Sequence, residues 1–277
     1  MPNNIISPDI FANAVNTRLD VKLRACKLAT DYTELVEDIT TCGEVVHFPT
    51  FDAISDAVVV EKGTPLTPDE INMSDSTATV KQVGHSVRVY DKDLTQVKTD
   101  SMKKKMSEQL ADKLAKAVDS DLVDAIYNEA TYKDSNADLD ETILDAAFDV
   151  FGDDVDNDTF AGILIHSELR KKFMAMDAFT SIMKTNAANG NGIVVDGKIG
   201  YWNGDIPVYV SNNGTKRGGK CLCAIIKNGA LGIVWQKAVS VEEERESKLF
   251  ATDIVANEMY ATKLLNADGV SVLEIGA

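Results

Sequence analysis

His47, His85 and His166 are the three histidines of this 277-residue chain. They are weighed first because imidazole titrates near neutral pH. A Ser-His-Asp or Cys-His site can draw its members from distant segments, but no nucleophile-elbow motif accompanies these three. Cys221-Leu222-Cys223 puts two sulfurs on one face of an expected strand. A zinc centre wants about four ligands, and no second pair stands at a suitable spacing, so both read as small buried apolar residues. Cys26 and Cys42 carry no pattern either. Asp154-Val155-Asp156-Asn157-Asp158 begins like a calcium loop, yet Thr159 and Ile165 stand where glycine and a bidentate glutamate are needed. A solvated acidic loop remains. Gly190-Asn191-Gly192 lacks the third glycine of a dinucleotide fingerprint and precedes a strand pattern rather than a helix. These residues point to no catalytic centre, no cofactor and no metal.

The remaining chemistry is charge. Glu242-Glu243-Glu244-Arg245-Glu246 faces a basic set at Lys98, Lys103, Lys104 and Lys105. Exposed charge of this kind contributes little per pair. On different copies of the chain the same patches would fix register and favour correct encounters. Both readings stand on sequence alone.

The elements that position these residues are legible in outline. Ser7-Pro8 is a helix start, and Phe11, Val15, Leu19, Leu23 and Leu28 form an apolar stripe, giving a helical arm over residues 1–42. Residues 43–91 read as a long two-stranded ribbon. Val45, Val46 and Phe48 open it, Val58 to Val60 continue it, and Thr77 to Tyr90 return. Gly63, Pro65 and Pro68 mark its tip, where Thr67-Pro68-Asp69-Glu70 predicts one helical turn. A two-stranded ribbon is marginal alone in water, and its open edges invite another chain. Met102, Met106, Leu110, Leu114, Val118, Leu122 and Ile126 recur every four residues, predicting a helix of roughly 40 Å within 92–130.

Over 131–235 the pattern mixes a short amphipathic helix at Ile143–Phe151, a strand at Ala161–Ile165, a helix capped by Ser167, and strands at Ile206–Val210, Cys221–Ile226 and Leu231–Val234. Three strands close the chain over 236–277: Ala238–Arg245, Ile254–Leu265 and Val270–Ile275. The middle one is apolar on both faces and belongs inside a sheet. The fold class is α+β.

Lys+Arg 28 against Asp+Glu 44 leaves a formal charge of −16. A groove built to grip phosphates tightly carries the opposite sign. No run reaches the roughly 18 apolar residues of a membrane span, and MPNNIISPDI lacks the regions of a secretory signal. Four cysteines without framework spacing suit a reducing cytoplasm.

The order of elements resembles the major capsid protein of tailed bacteriophages, whose fold also occurs in encapsulin shells and the herpesvirus capsid floor. Gly43 to Pro49 resembles the start of that family's extended loop, and Thr79 to Gly84 with Val87 to Asp91 its return. Ile163-Leu164-Ile165-His166-Ser167 resembles the strand-then-helix of the axial domain. Gly200 to Val208, Lys227 to Gly232, Val241 to Arg245, Tyr260 and Gly269-Val270 resemble the rest in order.

The resemblance implies an N-terminal arm, an extended β-hairpin loop, a spine helix, and axial and peripheral domains. It implies a structural protein, not an enzyme, that self-assembles as hexamers and pentamers into an icosahedral shell. That shell would enclose double-stranded DNA without sequence-specific binding, in a virion assembled in the bacterial host cytoplasm. No membrane is involved, and the expected partners are other copies, a portal and a scaffolding protein. About forty residues before the loop leave no room for a fused scaffolding domain, so a separate one is expected. Intersubunit contacts are expected at Phe48, Phe51, Val59, Pro65, Lys81, Val87, Arg88, Lys104, Glu243 and Arg245. Some relatives join an extended-loop lysine to a neighbour's asparagine, for which Lys81 with Asn257 or Asn266 would be the match, although an edge-strand lysine more simply prevents mispairing. The alternatives are an encapsulin-like compartment and a soluble α+β enzyme.

Overall fold

Strand Lys220–Lys227 is apolar on both faces, and this decides the larger half of the architecture. Leu222, Ala224 and Ile226 face one core cluster while Cys221, Cys223 and Ile225 face another. Such a strand is stable only in a sheet covered on both sides. The computed structural model describes residues 8–34, 44–51, 57, 59–60, 68–70, 73–96, 99–153, 156–181 and 197–276.

In order these form α1 (Pro8–Lys22), a 3-10 turn (Ala25–Leu28), β1 (Thr30–Asp31), β2 (Val45–Phe51), β3 (Met73–Thr79), β4 (Lys81–Tyr90), α2 (Asp91–Gln96) and α3 (Thr99–Glu129). There follow β5 (Tyr132–Asn136), α4 (Glu141–Asp149), β6 (Phe160–Ile165), α5 (Arg170–Phe173), β7 (Phe179–Ser181), β8 (Lys198–Trp202) and β9 (Ile206–Val210). The last are β10 (Lys216–Arg217), β11 (Lys220–Lys227), β12 (Leu231–Glu246), β13 (Ala251–Leu264) and β14 (Val270–Gly276).

An eight-stranded sheet runs β5-β14-β11-β6-β9-β8-β7, with β10 on β11. A four-stranded sheet runs β1-β12-β13-β4, and β2 with β3 make a separate ribbon. The helix α3 lies between the two larger sheets. Its Leu110, Leu114, Val118, Leu122 and Ile126 are buried, as the four-residue recurrence requires. On the far side of the eight-stranded sheet, Phe173, Phe179 and Trp202 meet edge-to-face under α4 and α5.

Several expectations change. The N-terminal helix is no free arm: Val15, Leu19, Leu23 and Leu28 are buried against α3 and β12 of the same chain, because the apolar stripe finds its partner at home. The expected strands Leu231–Val234 and Ala238–Arg245 are one strand, β12, whose register shifts near Gln236 and again before Ser240 absorb the break in pattern. It belongs wholly to the four-stranded sheet, including residues expected with 131–235.

Val270–Ile275, expected with the closing strands, instead pairs with β11 and β5 in the eight-stranded sheet. Its Val270 and Val272 face one core and Leu273 and Ile275 the other, so only a doubly covered sheet accommodates it. His166, not Ser167, caps the turn after β6: its Nδ1 accepts the Glu168 N–H at 3.2 Å. Pro68–Glu70 is not helical, and Ala57, Val59 and Val60 are not strand.

Candidate functional site

The expected site is a surface for other copies, centred on the ribbon. Val45 to Phe51 pairs antiparallel with Met73 to Thr79 in continuous register, Phe51 opposite Met73. The return run then divides at Val80, whose N–H donates to the Glu44 carbonyl at 2.7 Å. From Lys81 onward it pairs with β13 as the edge of the four-stranded sheet, which buries Val89 and half-buries Val83 and Val87.

The base of the ribbon is therefore satisfied within the chain. Val46, Phe48 and Ala78 lie on Val234 and Ala261, and Tyr32 meets Phe48 edge-on at 5.8 Å. Gly232 leaves room for the ring, since a Cβ there would lie 3.1 Å from Phe48 and 3.0 Å from Leu265 and these side chains would have to shift slightly. Phe48 is fully buried, which corrects its expected place in an intersubunit contact. What the described ribbon leaves open are its two outer strand edges and, beyond Phe51, Val59, which is 99% exposed.

The other expected contact residues divide into committed and open. Lys81 Nζ pairs with Asp121 of α3 at 3.0 Å, so the lysine stands on the sheet edge rather than out on the loop. The asparagines considered beside it have structural work. Asn257 accepts the Ser240 hydroxyl at 2.5 Å, and Asn266 caps a 3-10 turn through the Asp268 and Gly269 N–H groups. Arg88 grips Asp253 through two hydrogen bonds of 2.7 and 2.6 Å, and Arg245 grips Asp91 through two of 2.6 Å. Each pair holds its carboxyl below the usual range through those bonds. Glu243 stands opposite Ile254 in β12. Phe51 and Lys104 are placed by backbone in β2 and α3, while Pro65 lies outside the described residues.

The four-stranded sheet has unlike faces. Val241, Ile254 and Ala256 point to α3 and are buried. Alternation sends Glu242, Glu244 and Asp253 to the other face, with Arg88 in the same row. That outer face carries the ribbon base at one end and carboxylates at the other.

Two buried acids escaped sequence reasoning. Asp119 of α3 is fully buried and accepts the N–H groups of Arg24, Ala25 and Cys26 and the Asn213 side chain at 3.0–3.4 Å. It ties the end of α1 and the loop after β9 to the spine. Burial raises its pKa and these donors oppose the rise. Glu258 is fully buried with neither carboxyl oxygen hydrogen-bonded among the described residues, and desolvation pushes it up to about 7. The missed signal was phase: Glu258 alternates with Ile254, Ala256 and Tyr260 on the buried face of β13.

His166, Glu168 and Cys221 come within 4.8 Å of one another, spacing that suits a metal ion. Their lone pairs and charges are already engaged. Lys216 Nζ holds both Glu168 oxygens at 2.6 and 2.8 Å, His166 Nδ1 takes the Glu168 N–H, and burial raises the Cys221 thiol. The cluster is a satisfied turn, and Cys223 behaves likewise, pushed up to about 12 by burial alone.

A family model described as phage capsid protein matches residues 74–271. A search of curated proteins returns no match. Among solved structures, one from Gordonia phage Cozz superposes with a TM-score of 0.63 at 12% identity, covering 91% of this chain and 86% of that one. The capsid structure of cyanophage P-SCSP1u gives 0.59 at 15%, covering 90% and 86%. A virus-like particle from Pyrococcus furiosus gives 0.60 at 12%, covering 96% and 98%. At these identities the likeness is one of fold.

Proposed function

Because the chain belongs to the phage capsid protein family, we propose that its copies close into an icosahedral shell of hexamers and pentamers around double-stranded DNA. The chain is a structural capsid protein. The observation that carries the assembly reading is a ribbon anchored at its base, with no further strand on either edge among the described residues and Val59 wholly exposed beyond it. A segment stabilised at one end is positioned by its own body and completed by the next. Contacts that repeat head to tail close by rotation into rings. A permanent contact of this type buries at least about 2,000 Å².

In this reading the ribbon meets the outer face of a neighbour's four-stranded sheet. Residues 131–227, joined by β14, stand around the ring centre. A scaffolding protein and a portal complete the assembly in the host cytoplasm. The family match supports a phage head over an encapsulin-like compartment.

Electron microscopy of the purified chain, followed by nuclease treatment and extraction, tests both parts: closed particles with protected double-stranded DNA are expected from infected or reconstituted material. Phe51 and Met73 are register partners, so deleting 52–72 and joining them through Asn-Gly closes the ribbon without disturbing its base. That variant is expected to keep its denaturation midpoint and to form no particles. Normal particles from it would remove the ribbon from the assembly mechanism.

A further inference from the structure

A chain of formal charge −16 carries a concave cationic site. A cleft of about 600 Å³ opens where the end of α1, β4, α3 and the loop after β9 meet. Lys22, Arg24, Lys113 and Lys116 line it together with His85, and Asp112 is the one carboxylate among its described lining residues. Lys22 pairs with Asp112 at 2.9 Å. Arg24 is fixed: its Nη1 donates to the Val210 carbonyl at 2.6 Å, and Gly197, at φ +77, passes where a Cβ would lie 2.7 Å from its Nε. Lys113 and Lys116 stand one turn apart on α3, exposed, with no ion-pair partner among the described residues. Among the described residues no aromatic side chain lines the cleft, so they offer no stacking platform for a base.

We propose that this cleft binds the phosphodiester backbone of a polynucleotide on the inner side of the shell. The inference rests on the reading of the chain as a shell protein. Its direction comes from the sheet. The cleft lies on the α3 side, with His85 in register with the buried pair Ala256 and Val241. The carboxylates Glu242 and Glu244 lie on the opposite face. In a wall one subunit thick these faces look to opposite sides, so a neighbour's acidic strand does not reach the cleft. Phosphate on the enclosed polymer does. The site adds a few local contacts to a wall that otherwise repels the genome, and it reads charge rather than sequence.

The test is fluorescence anisotropy of a labelled 16-base-pair duplex titrated with the full-length chain as unassembled subunits. Binding is expected at 50 mM salt and should weaken about 40-fold by 200 mM if roughly three phosphates are contacted. The double variant Lys113→Glu with Lys116→Glu should lose at least about tenfold at low salt. Lys171→Glu with Lys248→Glu makes the same charge change elsewhere and should lose less than about threefold.

Absence of duplex binding at 50 mM salt, equal losses from the two variants, or equally tight binding of a labelled poly-glutamate peptide would overturn the proposal. The last result would assign the cleft to an acidic protein segment. Particle formation is scored separately by electron microscopy. Particles without a cleft effect defeat only this inference, and failure of the wild type to form particles defeats the shell reading.

Discussion

The two large sheets solve opposite problems. The eight-stranded sheet is covered on both faces, with alternate residues of β11 and β14 feeding two cores, and Trp202 and Phe173 sealing one of them. The four-stranded sheet covers one face with α1 and α3. Its other face shows the ribbon base at one end and Glu242, Glu244 and Asp253 at the other. Beyond Ile233 the free edge of β12 has no strand beside it among the described residues. The first sheet is finished by its own chain. The second leaves its outer face and part of that edge uncovered among the described residues.

The sharpest break of this contrast lies in the finished sheet. Trp202→Ala removes a fully buried ring and should cost about 3–5 kcal/mol of subunit stability, read from denaturant unfolding of unassembled protein. A loss below about 1 kcal/mol would mean that this core is not the stabilising unit.

Glu258 tests the covered face of the four-stranded sheet. In the unfolded chain it ionises near 4.5, whereas in the fold burial holds its proton until about 7. Between those values the unfolded state has released a proton that the folded state keeps, so stability falls as pH rises. The fall amounts to about 3 kcal/mol, complete above pH 7. Glu258→Gln should abolish this contribution, so the variant gains on the wild type between pH 4.5 and 7. Parallel stability curves for the two proteins would show that the carboxyl is not buried as described.

The smallest effect belongs to the outer face. Arg88→Ala breaks a two-bond pair with Asp253, but both groups face water and each is readily solvated alone. The denaturation midpoint of the unassembled subunit should not move. A change in particle yield without a change in midpoint would assign Arg88 to a contact between copies, and a shifted midpoint would make the outer face part of the subunit's own stability.

What could be read from sequence followed from periodicity. The recurrence from Met106 to Ile126 marks α3, and the doubly apolar β13 demands an interior position. Periodicity says which face of an element is buried, not what covers it. The stripe on α1 was legible, yet its partner, the same chain's α3, was not. Phe48 was expected against a neighbour, and only the fold shows it buried on Val234 and Ala261 of its own chain. The cationic cleft draws on four segments far apart in sequence, and no local pattern announces it.

The sequence by itself determined the α+β class, the spine helix, the ribbon and the acidic balance, because these depend on local spacing and on sums over residues. The tertiary structure alone decided which strand joined which sheet, where the ribbon stopped being self-sufficient and which side gathered the positive charge. Those outcomes depend on packing between distant segments, where burial of both faces of a strand, or room for one ring, selects among pairings that local preference leaves equal.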